Sequence, residues 1–296
     1  MAPTNFVYQA KHVDKLVVRD FAFDFPANLN PIWFPGNTVR SHMLNGFSLV
    51  MPYLEPFLIR AVLKAKEHVT SPELLEDMAG FNRQEANHFK CHRNYNQLLK
   101  ANGYPELERV EQHMTGAYAR LEKRSLRTQL AYAAGFESMT NGMTHWFIAK
   151  RQSLFADADR NVSTFWIMHM IEEAEHKTVA FDTYMAYSGQ YFARAIGVLH
   201  GSWHTVGLGL WAMTVALKKD KILYHPKTLV QIIKEFTNLT INIAPFMLRA
   251  LLPSFNPRQD ADPQWMKDWT KGYTALPKGA LIPLVDTHNP AMPVPF

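Results

Sequence analysis

One cysteine in 296 residues, Cys91, leaves the chain without an intramolecular disulfide and without a multi-thiolate zinc or iron–sulfur site. Such sparing use of cysteine fits a reducing compartment. The N-terminal stretch "MAPTNFVYQAKHVDK" has no apolar core of the kind a secretory signal needs, so a cytoplasmic location is expected. There is no Gly-x-Ser-x-Gly elbow, and no Gly-x-Gly-x-x-Gly follows a strand; serine-hydrolase and nucleotide-cofactor folds are disfavoured. A concentrated basic stripe is also missing. The formal net charge is +5, but the densest basic groups are only "LEKRSLR" at 121–127 and "KKDK" at 218–221, which argues against nucleic-acid binding. The scattered positive balance suits an anionic membrane surface or substrate better.

Apolar residues, by contrast, are abundant: 47 % of the chain is hydrophobic, enough to bury a large core. The first 45 residues read as an irregular or β-containing arm, in which "KLVVRDFAFDF" alternates and "PANLNPIWFPGN" carries turn residues. Helical periodicity then predicts long helices over about 46–69, 71–102, 125–151 and 162–187, with two more over 191–218 and 227–251. Pro52 and Pro56 flank Glu55 and predict a start or a kink in the first helix. "SPEL" opens the second with Ser71 as N-cap and Pro72 in the first turn, and "NGYP" closes it. The fold class expected is all-α: a four-helix bundle over 46–188, an arm over 1–45, additional apolar helices over 189–252 and a proline-rich extended tail over 253–296.

The chemistry is concentrated in two stretches. "HMIEEAEHKTVAFD" (169–182) places Glu173 and His176 three residues apart on one helix face, with His169 one turn earlier. Glu172 falls at the flank of that face, and Glu175 points away, as a solvated residue would. "FNRQEANHFKCHRNYN" (81–96) repeats the spacing with Glu85 and His88, and His92 lies one turn further on. Each Glu-x-x-His offers one oxygen and one nitrogen ligand a turn apart. Two such helices, with one glutamate from each of two others, hold a pair of metal ions in known bundles. Glu55, in "VMPYLEPFLIRAV", and Glu137, the one charge between 128 and 149, supply the two missing carboxylates in the required chain order. Unpaired glutamates on apolar helix faces are costly, and coordination removes that cost.

This order and spacing resemble the ferritin-like di-iron carboxylate superfamily. Within it, His-x-x-x-Glu-x-x-His at His169, Glu173 and His176 resembles the arylamine N-oxygenases of the p-aminobenzoate N-oxygenase type, which carry a third histidine ligand. The two quoted stretches are also similar to a bacterial family described as predicted metal-dependent hydrolases. The resemblance implies metal ligands at Glu55, Glu85, His88, Glu137, His169, Glu173 and His176. Glu85 and Glu173 would bridge or chelate, and Glu55 and Glu137 would be the candidate catalytic carboxylates. His169 has the alternative of a core histidine bonded to a carbonyl. The resemblance also implies that Gln84 and Glu172, each one residue before a ligand glutamate, support a metal-bound histidine across the bundle. His92 is expected to act as a support for the ligands.

Mixed carboxylate and imidazole ligation suits two iron ions, with manganese or a mixed pair as alternatives and zinc if the protein is a hydrolase. The leading expectation is an O2-activating oxygenase or oxidase acting on a hydrophobic small molecule. It would need a separate electron donor protein, since no flavin or iron–sulfur motif is present. The alternatives are a hydrolase working through metal-activated water and a non-enzymatic metal-binding protein. The uncharged stretch 195–217 is long enough for a bilayer span, but His200, His204 and four glycines fit a buried or dimer-forming helix better. Peripheral membrane contact and a homodimer are the partner expectations attached to this helix.

Overall fold

In the computed structural model, residues 6–9, 16–19, 23–277 and 280–296 are described. Gly36, at φ +69°, turns the chain into the first helix, where the Asn37 side chain accepts from the Arg40 amide at 3.0 Å. Helix α1 therefore runs Thr38–Ala65, beginning earlier than the periodicity predicts because this cap precedes the apolar run. Neither Pro52 nor Pro56 starts it; both lie inside. Pro52 has no amide hydrogen, so the Ser48 carbonyl loses its helical partner. The Asn96 side chain replaces that partner, donating to Ser48 O at 2.9 Å.

Helix α2 (Pro72–Ala101) has the predicted cap, with Ser71 Oγ accepting from the Leu74 amide at 3.2 Å, and the chain leaves it through Gly103 at φ +118°. An unpredicted helix follows, α3 (Leu107–Glu122). Next come α4 (Leu126–Leu154), α5 (Arg160–Tyr187), α6 (Tyr191–Lys219), α7 (Pro226–Ala250) and, inside the tail expected to be extended, α8 (Gln264–Ala275). The fold is all-α. The alternation in the N-terminal arm gives no strand among the described residues, and Lys15 and residues 20–22 of that stretch lie outside them.

The pairs α1/α2 and α4/α5 pack together, with α2 against α5 and α1 against α4, in a bundle-like arrangement. Helix α5 is its centre, buried at every position from Val162 to Tyr184. A helix apolar on all sides belongs inside, and α5 has no solvent side on which to place its charges. Across α1 and α4 lies α6, held close by glycine. A Cβ on Gly135 would sit 2.2 Å from Gly197 O, and one on Gly46 would sit 2.2 Å from Gly209 O. Among the described residues, the segment long and apolar enough to cross a membrane is Thr38–His68 rather than α6, and it is mostly buried within the protein.

Candidate metal centre

Four helices direct seven ionisable side chains to one place in the core: Glu55 from α1, Glu85 and His88 from α2, Glu137 from α4, and His169, Glu173 and His176 from α5. None is more than 1 % exposed. Oε1 of Glu173 lies 2.9 Å from His169 Nε2, 3.5 Å from His88 Nδ1 and 3.6 Å from His176 Nδ1. Glu85 spans two histidines, with Oε1 at 3.3 Å from His176 Nδ1 and Oε2 at 3.8 Å from His88 Nδ1. Glu55 Oε1 is 3.7 Å from His169 Nε2. Donor atoms fall within 4.8 Å of one another in sets that include Glu55–Glu85–His88, His88–His169–Glu173 and Glu85–Glu137–His176. Glu85 thus belongs to both halves of the cluster, one with Glu55 and His88 and the other with His176 and Glu137.

The donor atoms fit cations because protein hydrogen bonds do not satisfy them. No hydrogen bond of acceptable geometry reaches either oxygen of Glu55 or Glu85, Oε1 of Glu137, Oε2 of Glu173 or Nδ1 of His176. Buried polar atoms are rarely left this way, and a cluster of them marks an ion site.

The outward nitrogens of the histidines are, in contrast, fully engaged. His88 Nε2 lies 2.7 Å from Glu172 Oε2, an acceptor only, so the ring carries its hydrogen there and turns Nδ1 to the cluster. His176 Nε2 bonds Gln84 Oε1 at 3.0 Å, with the same result for its Nδ1. Both supports lead back to one residue. Arg19 donates to Glu172 at 2.9 Å and to Glu175 at 2.7 Å, and Glu175 in turn accepts from Gln84 at 2.8 Å. Glu175 is therefore not solvated as its helical position predicts; it is 6 % exposed, because α5 is enclosed on all sides. Arg19 itself lies over the rings of Trp269 and Tyr273 of α8. Glu172→Ala is expected to weaken metal affinity by about 10–100-fold. Circular dichroism should show the helices intact, and unchanged affinity in a metal titration would remove the supporting role.

A third relay fixes His169. Asn96 spends its amide hydrogens on Ser48 O, so its Oδ1 accepts the Ser48 hydroxyl proton at 2.7 Å. Ser48 Oγ can then only accept from His92 Nδ1, at 2.8 Å. Neutral His92 presents a bare Nε2 to His169 Nδ1 at 2.7 Å. His169 must hold its hydrogen there, which leaves its Nε2 lone pair facing Glu173 and Glu55. Sequence reasoning singled out His92 but not Ser48, Asn96, Arg19 or Glu175. Pro52 was the available signal for the first two, since a proline inside a helix frees the carbonyl four residues back.

The electrostatics follow from this packing. Burial, reinforced by the charge of Glu85, raises the Glu55 carboxyl well above the usual carboxylate range. Burial and the charges of Glu173 and Glu85 do the same to Glu137. Burial opposes ionisation of Glu173 too, but the imidazoles of His169, His176 and His88 gathered around it outweigh burial and hold that group well below the usual range. Burial works against charge on His88, yet Glu172, Glu173 and Glu85 raise it well above an ordinary histidine; Glu173 and Glu85 likewise lift His176 to about 9. His92 is lowered by burial and then by its neighbours His169 and His88, in keeping with the neutral ring the relay requires.

An all-helical protein with a buried glutamate–histidine cluster whose unsatisfied atoms face one another is of the metal-binding class. The family described as predicted metal-dependent hydrolase matches residues 17–261, most of the chain, and the protein belongs to it. The matched span includes all seven clustered residues, as well as Arg19 and all three relays. No curated protein and no solved structure gives a significant match.

Proposed function

We propose that the protein is a non-heme di-iron oxygenase or oxidase acting on a hydrophobic organic substrate. The observation that carries this reading is the composition of the cluster: four carboxylates and three imidazoles, no thiolate, and two carboxylates placed between histidines (distances to His88 and His176 of 3.3–3.8 Å from Glu85). A donor set that mixes several carboxylates with imidazoles and holds no thiolate suits iron and manganese. In this reading Glu55, Glu85, His88 and His169 would hold one ion and Glu85, Glu137 and His176 the other, with Glu173 available to both. A ferrous pair held there would supply the electrons for reductive activation of dioxygen, replenished by a separate electron donor protein.

The chain's own residues do the rest. Glu172, Gln84 and the Ser48–His92 relay hold three imidazoles in the tautomer that turns a lone pair inward. The aromatic and aliphatic wall of the site excludes water, which favours oxidation of an apolar group over capture of a charged leaving group. The small void beside His169 is lined by Phe47, Phe136, Trp166 and methionines, with Thr140 and Thr205 already engaged in hydrogen bonds.

A hydrolase reading is favoured by the family's description, since two cations on the same ligands would also polarise an ester and activate water. The two are separated by metal analysis and oxygen reactivity. The oxygenase reading expects about two iron ions per chain and an ultraviolet–visible change when the reduced protein meets oxygen. Zinc-loaded protein that cleaves esters without oxygen, with an iron form inert to oxygen, would replace it with the hydrolase.

A further inference from the structure

We propose that the groove between α6 and α7 is the substrate's way in, that Met139 and Val206 form the gate between it and the metal centre, and that the substrate is an unbranched alkyl-chain molecule. This rests on the functional reading above and deepens it. The groove, of about 240 Å³, is walled by Leu199 and Trp203 on α6 and by Phe236, Ile243 and Met247 on α7. A second, enclosed void of about 20 Å³ lies deeper, with His169 and Trp166 in its wall. Met139 and Val206 line both, so they are the shared partition. Met139 is 2 % exposed and stands two residues from Glu137 on α4.

The chemistry of the walls selects the occupant. No ionisable side chain lines either space apart from His169 at the inner end. The groove's two hydroxyls are already spent, Ser202 on Val198 O at 2.7 Å and Thr240 on Phe236 O at 2.8 Å. Neither hydroxyl has a hydrogen left to donate, the other side chains of the groove are apolar or aromatic, and burying a polar group among them would be costly. The inner void has room for little more than one water-sized group, so a chain end fits where a ring system does not. Methionines Met51, Met139, Met143 and Met170 surround it. Their unbranched, flexible side chains yield to a guest more readily than branched ones. The mouth is apolar too: Trp203 is 58 % exposed and Leu248 66 %. Exposed apolar surface continuous with an internal path to a buried reactive cluster is the pattern of a ligand channel.

Crystals of the full chain soaked with 8-bromooctan-1-ol, metal-free and iron-loaded, test this through the anomalous signal of bromine. The expected bromine position is beyond Met139, in contact (about 4 Å) with Trp166 or His169. Met139→Trp should leave the groove occupied and the inner void empty. Ala244→Trp, at the partly exposed groove wall and tolerant of a larger side chain, should remove the probe from both. Bromine confined to the wild-type groove, bromine bound elsewhere, a second copy of the chain covering the groove, or an inner void still filled in Ala244→Trp would each overturn the proposal. Metal content of the same preparations is a separate readout. Bromine in the void without metal uptake defeats the di-metal reading alone, and metal uptake with no bromine there defeats the channel alone.

Discussion

Glu173→Ala is expected to reduce bound metal from about two ions per chain to fewer than about 0.5, because in the bundle ligand plan one bridging carboxylate serves both ions. The expectation rests on a single oxygen. Oε1 of Glu173 lies within 3.6 Å of a ring nitrogen of each of the three clustered histidines, so its loss opens both halves together. Wild-type protein at a free metal concentration about 1,000 times Kd should gain about 4 kcal/mol, or roughly 8 °C in Tm for a chain of this size. In the variant the gain should fall below about 1 kcal/mol. Metal analysis after gel filtration and a thermal melt with and without ferrous salt read both effects. Retention of two ions by Glu173→Ala would remove Glu173 from the centre of the cluster.

The second large effect is a reversal of pH dependence by metal. In metal-free protein His88 and His176 have raised folded-state values, the latter about 9. A histidine raised on folding stabilises fully below the unfolded value, about 6.5, and that contribution is lost as pH climbs through the folded value. Glu55 and Glu137, also raised, act in the same direction, since the folded protein holds protons that the unfolded chain has already released. His169 and His92 are lowered and matter only below about 6.5. Metal-free protein should therefore lose about 5 °C in Tm between about pH 6.5 and 9. With saturating metal the slope should flatten or change sign, because metal needs the deprotonated ligands and its affinity rises with pH. Calorimetric melts across that range decide the matter; parallel curves for the two forms would show that the protons and the metal do not compete for the same atoms.

The sequence disclosed the seven clustered residues because their spacing has a geometric meaning that survives without coordinates. Glu-x-x-His is one helical turn, and a lone glutamate in an uncharged helix has few other reasons to exist. Helix ends with chemical punctuation, such as Ser71–Pro72 and Gly103–Pro105, were equally legible. Helix α3 was missed although Leu107, Val110, Met114, Tyr118 and Leu121 mark its buried face in the usual period. Glu175 was misread for a physical reason: one-face reasoning assigns an off-face charge to solvent, and α5 has no face in solvent. Arg19 was illegible for another. It sits in an arm whose alternation suggests a strand rather than a site, and its partners stand 153 and 156 positions later, beyond any local pattern.

That separation governs the order in which the site can be assembled during synthesis. Arg19 leaves the ribosome long before the helix bearing Glu172 and Glu175, and Trp269 and Tyr273, on which the guanidinium rests, follow later still. Until then the imidazoles of His88 and His176 lack the fixed orientation that a cation requires. Metal loading would then follow the closing of these contacts, and a chain stalled before Trp269 would lack the supports that hold the ligand histidines in place.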